Sequence, residues 1–166
     1  MPLTILCAKA SEVDLVSSVL SEAADWVATI GPRLWGQRHV SADAITADVI
    51  AGLYYIAWFQ GEAAGVVRLQ LDDTEFWPEA VNAEAIYVHR LAVRRRYAGK
   101  AVSDALLNWA VRHCNELGRR YVRLDCAADR PSLRNIYERF GFTLHSERDM
   151  GRFMTTRYQM KVTAAT

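Results

Sequence analysis

Long hydrophobic runs are missing from this chain of 166 residues. No stretch approaches the roughly 20 apolar residues that a bilayer-spanning helix needs. The opening Met1-Pro2-Leu3-Thr4-Ile5 lacks the charged and apolar regions of a secretory leader. Cysteine is scarce and odd in number. Cys7, Cys114 and Cys126 lie far apart, form no C-x-x-C pair, and have no histidine cluster at metal-ligand spacing beside them. They are expected to be buried, reduced thiols of a cytoplasmic protein, with no metal and no membrane partner. Excess charge of one sign is also absent. A net charge of +1 argues against nucleic-acid binding, which normally brings a clear basic excess. The groups Arg94, Arg95, Arg96 and Arg119, Arg120, Arg123 then read as a local phosphate site and a solvated face.

What is present is 51% hydrophobic and 23% charged, the balance of a soluble globular protein. The length predicts one domain over residues 1–166 with a proper core and no repeat or linker. A short apolar run at residues 3–7 predicts a first strand. Ser11 reads as a helix N-cap, followed by Val13, Val16, Val19, Leu20, Ala23, Ala24 and Val27 at helical spacing, until Gly31-Pro32 stops the helix. Ser41 caps a short helix through Ile50. Residues 53–59 and 64–71 are strands joined at Gln60-Gly61-Glu62. The acidic, aromatic stretch at residues 72–78 reads as a solvated loop, or as the lip of a site for a cationic amine. A strand at 85–93, a helix at 102–117, a strand at 121–126, a helix at 132–140 opened by Pro131, and two further strands complete the chain. The order β-α-α-β-β-β-α-β-α-β-β predicts an α/β fold. Its mixed sheet, one parallel pair among antiparallel ones, would carry helices on both faces.

The most informative stretch joins the strand at 85–93 to the following helix. After Leu91-Ala92-Val93 come Arg96, Tyr97, Ala98, Gly99, Lys100, Ala101, Val102 and Ser103. A strand passing through a glycine turn into a helix start is what an anion site needs. The first helical N–H groups lack internal partners, and the macrodipole places partial positive charge there. Gly99 and the alanines let a phosphate approach the backbone, and Arg96 and Lys100 add charge. The turn has neither the Gly-Lys-Ser/Thr ending of a nucleotide P-loop nor a G-x-G-x-x-G.

Arg96-x-x-Gly99-x-Ala101 resembles the (Arg/Gln)-x-x-Gly-x-(Gly/Ala) signature of the GNAT superfamily of N-acetyltransferases. A second match lies downstream: Leu124-Asp125-Cys126, then Pro131, then Tyr137-x-x-x-Gly141-Phe142 resembles that family's strand, Asn-Pro, helix and Tyr-x-x-x-Gly-Phe. The resemblance implies a GNAT fold that binds acetyl-CoA between two splayed strands. The pantetheine arm would lie along Leu91, Ala92 and Val93, and the pyrophosphate on the turn 96–103, with Arg130 and Arg134 nearby. Arg130 stands where many relatives carry Asn, and Ala101 replaces the usual second Gly. The implied activity is acetyl transfer from acetyl-CoA to a primary amine of a small molecule or peptide, by direct attack in a ternary complex, in a possible homodimer. The competing reading is a GNAT-fold module that binds acyl-CoA without turnover, as a sensor or assembly partner.

Such a reaction needs a neutral amine, a stabilised oxyanion and a proton for the thiolate. An alkylamine of pKa ~10 is only about one part in a thousand neutral at pH 7, so a general base helps. Tyr137 matches the family's acid for the coenzyme A thiolate. Two residues compete for the base. His89 lies two positions before Leu91-Ala92-Val93, as in arylalkylamine acetyltransferases, and Glu84 stands near the start of the same strand, one register step from the family's Glu.

Overall fold

The computed structural model describes residues 1–163. Two compact units make up the described residues: Met1–Leu69 with Arg90–Trp109, and Gln70–His89 with the chain from Ala110 onward. The strands follow the hydrogen-bonded order β1-β2-β3-β4-β5-β7-β6 in a mixed seven-stranded sheet. These are β1 (Thr4–Cys7), β2 (Tyr54–Phe59), β3 (Glu62–Gln70), β4 (Ala85–Val93), β5 (Tyr121–Ala127), β6 (Thr143–Asp149) and β7 (Met154–Lys161).

In the first unit β1, β2 and β3 form an antiparallel meander. Gln60 and Gly61 both take positive φ, 50° and 82°, as a two-residue hairpin turn between right-twisted strands requires. Helix α1 (Val13–Ala28) buries Val16, Val19, Leu20 and Ala24, the stripe that its sequence spacing predicts. It packs with Val40, with Ile45 and Val49 of α3 (Ala42–Ile50), and with Tyr54, Ile56 and Val66 of the sheet. Ser41 does cap α3, its Oγ accepting from the Ala44 N–H at 3.3 Å. Ser11 does not cap α1. A 3-10 turn at Ala10–Glu12 precedes that helix, and the Glu12 carboxylate reaches back to the Lys9 N–H at 2.8 Å. Between α1 and α3 lies a one-turn helix, α2 (Gln37–Val40), too short to leave a periodic trace in sequence.

Gly65 sets how closely this unit can pack. A Cβ built there would lie 2.8 Å from the Ala92 carbonyl oxygen, 3.0 Å from Val102 Cγ1 and 3.2 Å from Leu106 Cδ1. Only hydrogen fits, so the start of α4 (Val102–Glu116) comes down onto β3 beside the end of β4.

In the second unit β4 runs parallel to β5, pairing Ala85–Val88 with Tyr121–Leu124, and β5, β7 and β6 continue antiparallel. Helix α5 (Pro131–Phe140) has Pro131 in its first turn, where no N–H is missed. Gly141, at φ 122°, ends it. The N–H groups of Gly141 and Phe142 both donate to the Tyr137 carbonyl, which closes the helix and turns Phe142 back onto the Tyr137 ring, 6.2 Å between centroids. The Tyr-x-x-x-Gly-Phe spacing is thus a helix stop that clamps its own tyrosine. Cys114 and Cys126 are buried as expected, whereas Cys7 is exposed: its strand β1 pairs only with β2 in the sheet order. No helix among the described residues is long and apolar enough to cross a membrane.

Candidate active site

The turn after β4 belongs to the first unit. Arg95–Tyr97 forms a 3-10 turn, the Lys100 N–H donates to the Tyr97 carbonyl, and Gly99 and Ala101 take φ of 73° and 61°. These two left-handed residues reverse the chain into α4, whose first internal bond runs from the Ala105 N–H to the Ala101 carbonyl. The amides of Val102, Ser103 and Asp104 therefore have no partner within the helix, the arrangement that receives an anion. Val102 itself is buried and Ser103 half-buried. A left-handed conformation costs a residue with a Cβ about 1–2 kcal/mol, partly offset in glycine by its freer unfolded state. Ala101→Gly is accordingly expected to stabilise the protein by up to about 1 kcal/mol in urea melts and to leave acetyl-CoA affinity intact.

The cations around this turn are engaged within the protein. Arg96 pairs with Glu62 at 2.6 Å, and the same carboxylate accepts from the Tyr97 hydroxyl at 2.5 Å. That hydrogen bond, helped by the neighbouring Arg96, holds Glu62 below the usual carboxylate range; the same bond raises the Tyr97 phenol, against the pull of Arg96. Arg94 donates to the Ala63 carbonyl and to Ser18, and the Arg95 guanidinium stacks 3.6 Å over the Trp26 ring. Lys100 is exposed beside the Tyr97 ring. The groups this turn leaves open for an anion are thus chiefly backbone amides. Glu62, which the sequence marks only as a hairpin residue, holds Arg96 and Tyr97 in place. Leu91 and Val93 are half-buried and Ala92 is buried at the end of β4, just after Arg90, whose φ of 51° interrupts the extended strand.

The second unit holds the titratable groups. Tyr137 is buried between the Phe142 and Tyr158 rings. Among the described residues nothing bonds to its hydroxyl. Burial, with the charges of Cys126 and Asp125, pushes the phenol well above its ordinary range, so it stays protonated. Arg134 donates through Nε to the Tyr158 hydroxyl at 3.0 Å, while that hydroxyl donates to Glu138 at 2.7 Å. Arg130 stands at the N-cap of α5.

The two residues expected to compete as base have different surroundings. The Glu84 carboxylate accepts from Arg123 at 3.1 Å, and Arg123 is itself buried between the Trp77 and Tyr121 rings. His89 instead lies between two aspartates. Its Nε2 is 2.9 Å from Asp73 Oδ2 and its Nδ1 is 4.0 Å from Asp125 Oδ1, with side-chain exposures of 9%, 4% and 9% for His89, Asp73 and Asp125. The stretch at residues 72–78 is therefore not simply solvated: Asp73 and Trp77 are buried. Asp73 also accepts from the Phe76 N–H at 3.0 Å, and Arg157 donates to the Phe76 carbonyl at 3.0 Å. Burial raises the Asp73 carboxyl, but the hydrogen bonds from His89 and from the Phe76 and Glu75 amides outweigh it and hold the carboxyl below its usual range.

Asp73, His89 and Asp125 bring donor atoms within 4.8 Å of one another. The two carboxylates, however, face different nitrogens of one ring, and a single imidazole cannot turn both nitrogens to one ion. The arrangement suits proton transfer. Sequence reading missed Asp73 and Asp125. The available signal was an acidic residue inside the otherwise apolar Val122, Leu124, Cys126 strand.

Burial raises the Asp125 carboxyl to about 6, although the nearby His89 pulls it down. A carboxyl whose folded pKa exceeds its unfolded value binds protons more tightly when folded, so its contribution to stability falls as pH rises through that window. Asp125→Asn is expected to be more stable than wild type above pH 6 by roughly 2–3 kcal/mol, with the difference vanishing below pH 4, as denaturant melts across pH would record.

The open amides at a helix start in the first unit, and a buried, protonated tyrosine before a Gly-Phe helix stop in the second, are each features in which the chain resembles acyl-CoA-binding acyltransferases. Residues 20–142 match the acetyltransferase (GNAT) family, and the chain belongs to that family. It is 30% identical over 137 residues to YesJ of Bacillus subtilis, an uncharacterised N-acetyltransferase, covering 79% of this chain and 76% of that one. The fold matches a GNAT-family acetyltransferase of Listeria monocytogenes with a TM-score of 0.81 at 21% identity, over 96% of this chain and 94% of the other. YncA of Salmonella typhimurium, solved with acetyl-CoA, matches with a TM-score of 0.72 at 15% identity, over 100% and 97% of the two chains.

Proposed function

We propose that this protein is an N-acetyltransferase that passes the acetyl group of acetyl-CoA to a primary amine of a small molecule or peptide, in the cytoplasm. In this reading the amides at the start of α4 receive the pyrophosphate, and Leu91 to Val93 offer backbone to the pantetheine arm. The amine nitrogen attacks the thioester carbon, a C–N bond forms, and the C–S bond breaks. Sulfur takes its proton from Tyr137. An ammonium acceptor gives up two protons along the way. One restores Tyr137, and the other leaves through the base to solvent. His89 is assigned as that base, because Glu84 is committed to Arg123.

The observation that carries the proposal is Tyr137, packed between the Phe142 and Tyr158 rings and kept protonated by burial, with no hydrogen bond from its hydroxyl to the described residues. A phenol without a protein partner is free to give its proton to a thiolate, a role that a module binding acyl-CoA without turnover does not need. The N-acetyltransferase relative and the acetyl-CoA-bound neighbour support the choice of donor and of amine chemistry. The test is free-thiol release from acetyl-CoA with a panel of primary amines and amino-terminal peptides. Turnover on at least one acceptor is expected. Calorimetric binding of acetyl-CoA with no thiol release on any acceptor would favour the non-catalytic module.

A further inference from the structure

We propose that Asp73, His89 and Asp125 work as one proton-transfer unit, in which Asp73 fixes the ring of His89, Nδ1 of that ring takes the proton of the acceptor amine, and the Asp125 carboxylate beside Nδ1 steadies the charge that results. The proposal rests on the acetyltransferase reading and adds two residues that the sequence motifs do not contain.

The geometry makes the assignment. Asp73 is ionised and can only accept, so the hydrogen on the 2.9 Å contact sits on His89 Nε2. In the neutral ring Nδ1 is then left with its lone pair. That nitrogen faces Asp125 Oδ1, an atom shielded from solvent on a side chain nine-tenths buried, which accepts no hydrogen bond from the described residues. The 4.0 Å between them is too long for a direct bond. Oδ1 has no room for a water beside it, so the carboxylate acts on the ring through its charge across this short, buried gap. Asp73 is a positioning residue here, and His89 accepts the proton with Asp125 paired to it.

The groups facing this pair come from β5 itself and from three further segments. Asp73, Glu75 and Phe76 lie on the stretch before β4, Cys126 follows Asp125 on β5, Thr155 stands on β7, and Tyr137 on α5. Thr155 gives its hydroxyl to the Cys126 carbonyl at 3.1 Å and only grazes Asp125 Oδ2 at 3.5 Å, so it does not satisfy the carboxylate. The negative charge of Asp125 is one of the causes that raise the Tyr137 phenol. A proton taken up by the pair offsets that charge and makes Tyr137 a better donor, which links the base step to protonation of the leaving thiolate.

The decisive experiment needs no acceptor. In 1H–15N spectra of protein labelled in histidine, His89 is expected as the Nε2–H tautomer, identified by its loss in His89→Ala. Asp73→Asn should disturb that tautomer, and Asp125→Asn should shift the His89 ring nitrogen resonances at fixed pH by removing the charge beside Nδ1. An Nδ1–H ring in wild type, or His89 resonances indifferent to Asp125→Asn, overturns the proposal. A second arm measures thiol release with n-butylamine across pH. Asp73→Asn and Asp125→Asn should each lower kcat by roughly 10- to 100-fold with KM for acetyl-CoA unchanged, and an unchanged kcat in Asp125→Asn also overturns it. If wild type releases no thiol with any amine, the acetyltransferase reading falls. The spectral arm still decides whether the three residues act as one unit.

Discussion

Tyr137→Phe is expected to lower kcat by roughly 10²–10³-fold, within the usual range for loss of a general acid, while KM for acetyl-CoA stays within about twofold. The same variant should be about as stable as wild type. The hydroxyl it removes makes no hydrogen bond among the described residues, so its loss leaves no protein group unpaired. The ring contacts with Phe142 and Tyr158 remain. A packing tyrosine would behave differently, with activity and stability changing together or not at all. Because the phenol is held above its ordinary range, it is a reluctant acid for a thiolate whose own pKa is near ~8.5. In the proposed reaction it would therefore deliver its proton as the C–S bond breaks rather than beforehand. Thiol release measured beside urea melts of the same preparation checks both halves, and unchanged turnover would remove Tyr137 from the chemistry.

Gly65→Ala should destabilise the fold by about 3 kcal/mol, the upper end of the usual cost of overpacking. The added methyl would sit 2.8 Å from the Ala92 carbonyl oxygen, a backbone atom with no rotamer to escape into. Relief requires β3 and the end of β4 to part, or the first turn of α4 to lift through Val102 and Leu106. Either movement disturbs the turn assigned to the pyrophosphate, so KM for acetyl-CoA should rise while the Tyr137 step is untouched. Gly99→Ala makes a useful contrast. Nothing lies within 4 Å of its Cβ position, and only its φ of 73° resists the change, for about 1–2 kcal/mol. Equal costs at the two glycines in denaturant melts would show that crowding at Gly65 is not what matters.

The elements with a strong local signal are where the sequence places them. Strand β4 covers residues 85–93 as expected, and α4 and β5 differ from expectation by one residue at their ends. Those signals are local: apolar runs of strand length, a 3.6-residue stripe, glycine and proline at the breaks. The cradle was equally legible, because the left-handed positions at Gly99 and Ala101 and the helix start that follows are consecutive in the chain. His89 was legible only as a candidate. Its partners lie 16 and 36 residues away, on segments whose own patterns read as a solvated loop and an ordinary strand.

The sequence by itself determined the order of the elements apart from the one-turn helix α2, the left-handed turn into α4 and the helix stop that holds Tyr137, since each depends on neighbours a few residues apart. Tertiary structure alone decided which acid meets which base: Glu84 on Arg123, Glu62 on Arg96, and Asp73 and Asp125 on the two nitrogens of His89. Pairing between charges falls off within a few ångströms and depends on burial, so it is settled only when strands far apart in the chain come to lie side by side.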